Sequence, residues 1–148
     1  MNKGLIAAVL GLIIIISYNH SHALCVNTSD ANLRSGPGTT YEKTWEVFKY
    51  MPFSKLSEKA GWYRVKDVDG DIHWIYSKLV TEEFKCAVVK VDKANMRSGP
   101  GTGYSLKPQS PVMKYASFKI ITMDKAWVKV VDEFGDTGWI YKRLLWIN

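Results

Sequence analysis

The chain has 148 residues, of which 47% are hydrophobic, 23% charged and 13% aromatic, and 20 Lys+Arg against 14 Asp+Glu give a net charge of +6. That composition is too apolar for an extended disordered chain, and the length accommodates one medium domain or two very small ones. Two cysteines and three histidines make a poor four-ligand zinc set, so neither a structural metal nor a cofactor is expected; the positive balance suits anionic partners without naming one.

Met1 to Ala23 reads as a secretory signal: a cation at Lys3, an apolar run of 12 residues from Leu5 to Ile16, and a polar stretch ending Ser21-His22-Ala23. A membrane-spanning helix needs roughly 20 apolar residues, so no permanent span is expected. Cleavage after Ala23 would leave a chain beginning Leu24-Cys25, exported to the periplasm or the cell surface. Lipidation of Cys25 is a competing reading, opposed by the bulky Leu24 where the signal of a bacterial lipoprotein carries a small residue. With His20 and His22 gone, His73 is the one histidine left. In an oxidising compartment an even cysteine number makes a Cys25–Cys86 disulfide the default, the alternative being two separate buried thiols. The bridge would close a loop of 60 intervening residues, worth roughly 4 kcal/mol in a chain-entropy model.

The segment Ala31-Asn32-Leu33-Arg34-Ser35-Gly36-Pro37-Gly38-Thr39 returns as Ala94-Asn95-Met96-Arg97-Ser98-Gly99-Pro100-Gly101-Thr102, eight identities in nine positions at a spacing of 63. Further along, Trp62 matches Trp127, Asp67 matches Asp132, Trp74-Ile75-Tyr76 matches Trp139-Ile140-Tyr141, and Leu79 matches Leu144, all at a spacing of 65. A two-residue insertion therefore falls between Tyr104 and Tyr115, beside Pro108 and Pro111, where a loop would absorb it most easily. The chain reads as a leader over 1–23 and two copies of one unit, 24–82 and 83–148.

Each copy consists of short β-prone runs between turn residues, with no sustained helical periodicity. Tyr63 and Val65 alternate with Trp62, Arg64 and Lys66, Asp69-Gly70 supplies a turn, and Ile72 to Tyr76 the returning strand. The Ser-Gly-Pro-Gly stretch cannot be a strand interior, since proline lacks the amide donor and glycine loses more entropy there. Five or six strands per copy would close most economically as a small barrel.

These residues carry a resemblance: each copy is similar to a bacterial SH3-like domain, which opens with Asn-hydrophobic-Arg-Ser-Gly-Pro and ends with Gly-Trp-hydrophobic. The resemblance implies an all-β fold of two tandem small SH3-like β-barrels after the signal peptide, association with the cell envelope and often with peptidoglycan, and no catalytic activity in the module. One departure is His73 where the second copy has Gly138. A glycine-only backbone angle at that position would force the first copy to adjust its turn.

Alternation sends Tyr63, Val65, Val128 and Val130 inward and leaves Trp62, Arg64, Lys66, Trp127 and Lys129 on the other side of their strands. A tryptophan beside cations suits glycans and acidic peptides, because the ring covers apolar sugar faces and the cation meets carboxylates; sealing a barrel end is the competing role. Trp74, Tyr76, Trp139 and Tyr141 lie opposite Ile75 and Ile140 and are read mainly as packing, with Trp139 and Tyr141 kept as candidate contacts. Arg34 and Arg97 are read as holding loop carbonyls, and His73 as a surface histidine in a turn.

Residues 24–82 hold 8 Lys+Arg and 8 Asp+Glu, whereas residues 83–148 hold 11 and 6, so the second copy carries the net positive charge. The expected function is non-enzymatic binding of peptidoglycan or a related anionic envelope polymer, through Trp62, Arg64, Trp127, Lys129, Trp139 and Tyr141. A protein-interaction module for a peptide or an envelope protein is the alternative. Nucleic acid is disfavoured by export, and no residues are left over to form a hydrolase domain.

Overall fold

A computed structural model describes residues 22–147. Apart from His22 and Ala23, the expected leader lies outside the described residues; those two stand in the first strand, paired with Lys55 and Ser54. Strands β1 (His22–Val26), β2 (Asp30–Arg34), β3 (Lys43–Phe48), β4 (Pro52–Lys59), β5 (Trp62–Lys66), β6 (Ile72–Tyr76) and β7 (Val80–Thr81) form one antiparallel sheet in the order β3-β2-β6-β5-β4-β1-β7. A 3-10 turn, Ser77–Leu79, precedes β7.

The second half repeats the plan with β8 (Cys86–Val89), β9 (Lys93–Ala94), β10 (Val112–Met113), β11 (Ser117–Asp124), β12 (Trp127–Val131), β13 (Thr137–Tyr141) and β14 (Leu145–Ile147). Its main sheet runs β13-β12-β11-β8-β14, with β9 and β10 as a separate pair and a 3-10 turn at Lys142–Leu144. The all-β class expected from the sequence is the class observed. Among the described residues no ladder joins β7 to β3, so the first sheet stays open where full barrel closure was expected. No helix of these residues is long and apolar enough to cross a membrane.

Period-two alternation builds the cores. Val65 and Ile75 from the β5–β6 hairpin join Leu24, Val26, Leu33, Val47 and Phe53 in one cluster; Val128, Val130 and Ile140 from β12–β13 join Val89, Met96 and Phe118 in the other. Val88, from the second half, packs into the first cluster. The two halves are joined covalently as well, by a Cys25–Cys86 disulfide with a Cα–Cα distance of 6.0 Å. Tyr50 meets Phe84 edge-on, and Trp45 meets Tyr115 with ring centroids 5.1 Å apart. The Tyr115 hydroxyl donates to Asp69 Oδ2 at 2.6 Å, Lys114 lies 3.4 Å from Asp69 Oδ1, and the Ser117 hydroxyl donates to the Lys49 carbonyl.

Three sequence expectations are corrected. The insertion does not fall in a plain loop: it interrupts the counterpart of β3. Leu106 still bridges Arg97 and Val112 still pairs with Ala94, as Lys43 pairs with Arg34 and Val47 with Ala31, but the residues between bulge away from the ladder. Pro108 and Pro111 lie in that interval and lack the amide donors a ladder requires.

His73 is not a surface residue in a turn. It sits in β6 opposite Val65 and is only 9% exposed. Its Nε2 donates to Asp67 Oδ2 at 3.0 Å, leaving Nδ1 to pair with the Thr44 hydroxyl at 2.8 Å. Nor does the glycine at 138 answer a backbone-angle requirement, since its φ is not in the left-handed region. It answers a volume requirement: a Cβ there would lie 2.3 Å from Met96 Cγ. In the first copy Leu33 stands at the position of Met96 and His73 at that of Gly138.

Candidate functional site

In β2 the residues facing away from the core are Asp30, Asn32 and Arg34, because Ala31 and Leu33 are buried between them. β6 separates β2 from β5, and the Trp62–Tyr76 rung closes the far end of the β5–β6 hairpin. Trp62 and Tyr76 are cross-strand partners with ring centroids 5.6 Å apart and planes tilted by 47°. Between the β2 row and this aromatic rung lies a cleft of about 390 Å³, completed by Thr39 and by Leu79 from the 3-10 turn.

The second copy builds the same cleft from the matching residues. Asn95, Arg97, Thr102, Trp127, Tyr141 and Leu144 line it, Trp127 and Tyr141 again 5.6 Å apart and tilted by 50°. Its volume is larger, about 830 Å³, and Lys93, Gly101 and Pro111 contribute to its walls. One position differs in sign: Asp30 in the first cleft corresponds to Lys93 in the second.

The arginines are held as the sequence suggested. Arg34 Nη1 donates to the Tyr41 carbonyl at 2.9 Å, and Arg97 Nη1 donates to the carbonyls of Thr102 and Tyr104 at 3.1 and 2.8 Å. These bonds brace the Ser-Gly-Pro-Gly loop while the guanidinium remains part of the cleft wall. The loop itself depends on a close approach: a Cβ on Gly36 or Gly99 would lie 2.3 Å from the ring of Tyr41 or Tyr104.

Of the residues singled out from sequence, Trp62, Trp127 and Tyr141 line the clefts. Tyr76, read as packing, packs on Trp62 and also lines the first cleft. Lys129 and Trp139 are cross-strand partners two rungs inward from Trp127–Tyr141, and Arg64 and Trp74 are the corresponding rung of the first copy. Cleft walls form without Lys129, Trp139 or Arg64. Sequence reasoning passed over Asn32, Asn95, Thr39 and Thr102; their signal was present, as polar residues identical in both copies.

A second constellation lies at the junction of the halves. Thr44, His73 and Asp67 form a hydrogen-bonded chain beside a cavity of about 210 Å³ that Asp69, Asp71 and Tyr115 also line. The order hydroxyl–imidazole–carboxylate is that of a hydrolytic triad, yet three carboxylates around one small cavity would repel the oxyanion that acyl transfer must stabilise. Asp67 is also committed elsewhere, its Oδ1 accepting from the amides of Asp69 and Asp71 at 2.9 Å each. Asp132 holds the equivalent turn without a histidine. Here the Tyr115 hydroxyl, and next the Lys114 ammonium, hold the Asp69 carboxyl below the usual carboxylate range. The same carboxylate pushes the Tyr115 hydroxyl up.

A family model described as bacterial SH3 domain matches residues 27–82 and again residues 90–146. The chain is 31% identical over 125 residues to the Bacillus subtilis (strain 168) protein named "Putative N-acetylmuramoyl-L-alanine amidase YrvJ", an alignment covering 78% of this chain and 24% of that protein. It thus spans about a quarter of that relative's length. Similar solved structures include NlpC2 from Trichomonas vaginalis, at 15% identity and a TM-score of 0.37, covering 88% of this chain and 49% of that one. Another is an NlpC/P60 family protein from Bacillus cereus ATCC 10987, at 11% identity and a TM-score of 0.39, covering 85% of this chain and 56% of that one.

Proposed function

The chain belongs to the bacterial SH3 domain family, and on that footing we propose that it is a non-enzymatic binding protein of the cell envelope whose ligand is peptidoglycan or a closely related wall component. The two units, 24–82 and 83–148, act as the binding modules. The observation that carries this reading is the twice-built cleft, in which a tilted Trp–Tyr pair, an arginine, an asparagine and a threonine recur in both copies.

That combination fits a glycopeptide. An aromatic ring covers the apolar face of a sugar, while guanidinium, carboxamide and hydroxyl groups meet acetamido, amide and carboxylate groups. The relative's name refers to the N-acetylmuramoyl-L-alanine unit, where sugar and peptide join, and such a junction presents both chemistries within one ligand. Export through the leader would place the protein beside this material.

The test is co-sedimentation with purified sacculi. Wild type should pellet with them, Trp62→Ala and Trp127→Ala should each pellet less, and the double variant should stay in the supernatant while retaining its circular dichroism. A wild-type protein that remains in the supernatant at low salt would instead favour a peptide or protein partner, which the same clefts could serve.

A further inference from the structure

We propose that the two clefts are opposite in charge preference: the second receives a carboxylate of its ligand on Lys93 and Arg97, whereas the first receives an ammonium group on Asp30. The inference rests on the wall-binding reading and adds which group of the ligand each cleft selects.

Most of the two clefts is identical. Arg34 and Arg97, Trp62 and Trp127, and Tyr76 and Tyr141 occupy matching walls, so shape and stacking do not distinguish the clefts in kind. The difference lies at the head of the outward row. Asp30 and Arg34 leave the first cleft neutral, whereas Lys93 and Arg97 give the second two positive charges. Both positions start a strand and both are exposed, so neither charge is consumed by the core. Asp30 keeps one carboxylate oxygen beyond the bond its Oδ1 accepts from Ser29. At the head of the row the first cleft therefore offers a carboxylate acceptor, which suits a donor-only ammonium, where the second offers another cation, which suits an acceptor-only carboxylate. A ligand carrying both groups would be read at different ends by the two copies.

The probe is a synthetic N-acetylmuramoyl-L-alanyl peptide with one free carboxylate and one lysine side chain, prepared unmodified, carboxyl-amidated, or amine-acetylated. Titrations into the full chain, read by NMR shifts of the indole N–H groups, use Trp62→Ala to leave the second cleft and Trp127→Ala to leave the first. Amidation should weaken the second cleft about tenfold and spare the first; acetylation should do the reverse, by a similar factor for one lost charge-assisted contact. Asp30→Lys, in the Trp127→Ala background, should convert the first cleft to the amidation-sensitive pattern, a gain that misfolding cannot imitate. If both clefts bind the unmodified probe but respond alike to its modifications, or if Asp30→Lys changes nothing, the charge assignment is wrong while the wall-binding reading stands. Failure of both clefts to bind any form of the probe, with wild type also failing to pellet with sacculi, overturns both.

Discussion

Gly138 and Met96 exclude each other's larger neighbours, and substituting them exposes how the second core is filled. A Cβ at position 138 would lie 2.3 Å from Met96 Cγ, 2.6 Å from its Sδ and 3.4 Å from the Arg97 carbonyl oxygen, and Met96 is 1% exposed. Gly138→Ala should therefore overpack the core and destabilise by about 1–3 kcal/mol. Met96→Leu is a near-conservative change that restores the residue found at the matching Leu33, and alone it should cost less than about 1.5 kcal/mol. Together the two changes should relieve the clash, giving a coupling of about 0.5–3 kcal/mol in a double-mutant cycle. Urea unfolding monitored by tryptophan fluorescence measures this, since such changes shift the midpoint on the order of 1 M. Additive losses, with the double variant as unstable as the two single effects combined, would refute the volume argument. The amide exchange of Arg97 and Trp139 offers a second reading, because these residues exchange backbone bonds of 2.9 and 2.8 Å beside the substituted position; Gly138→Ala should lower their protection and the double variant should restore it.

Both sulfurs of the Cys25–Cys86 bridge are buried, at 1% and 2% exposure for their residues. Alkylation should therefore require denaturant as well as reductant, with Cys25→Ser losing about 4 kcal/mol by chain entropy; intact mass and unfolding midpoints check each part, and rapid labelling of the native protein would contradict the burial. His73→Phe keeps volume but strands the Asp67 carboxylate and the Thr44 hydroxyl, so it should cost about 1–3 kcal/mol, whereas a neutral outcome in denaturation would show the chain to be energetically idle. At the junction the pH dependence has two limbs of known sign. Asp69 is lowered when folded, so its contribution is full above about pH 4 and disappears as pH falls through the depressed value; Tyr115 is raised, so its contribution is full below about pH 10 and disappears as pH climbs through the raised value. Asp69→Asn should flatten the acid limb relative to wild type when stability is measured across pH, and an unchanged difference between the two proteins at acid and neutral pH would contradict the assignment.

Local pattern made much of this protein readable from its sequence. The nine-residue segment and the Trp-Ile-Tyr triplet announced the duplication, alternation at Val65, Ile75, Val128, Val130 and Ile140 identified core positions that are indeed fully buried, and the arginines of the repeated segment brace loop carbonyls as expected. Those features depend on neighbours within a few residues, where period and turn chemistry act directly. The tertiary structure alone decided which rung of each hairpin faces a cleft, since alternation assigns Trp127 and Lys129 to the same side but cannot say which one the β9 row overlooks. It also decided that His73 is buried, where its ring pairs with Asp67 and with Thr44, a hydroxyl 29 residues away along the chain. The contact of Tyr115 with Asp69, 46 residues apart, was likewise invisible, for nothing in either local pattern records how two folded halves meet. Short-range periodicity specifies which side of a strand is apolar; which side chains then share a space is settled only when distant strands come together and each volume is filled once.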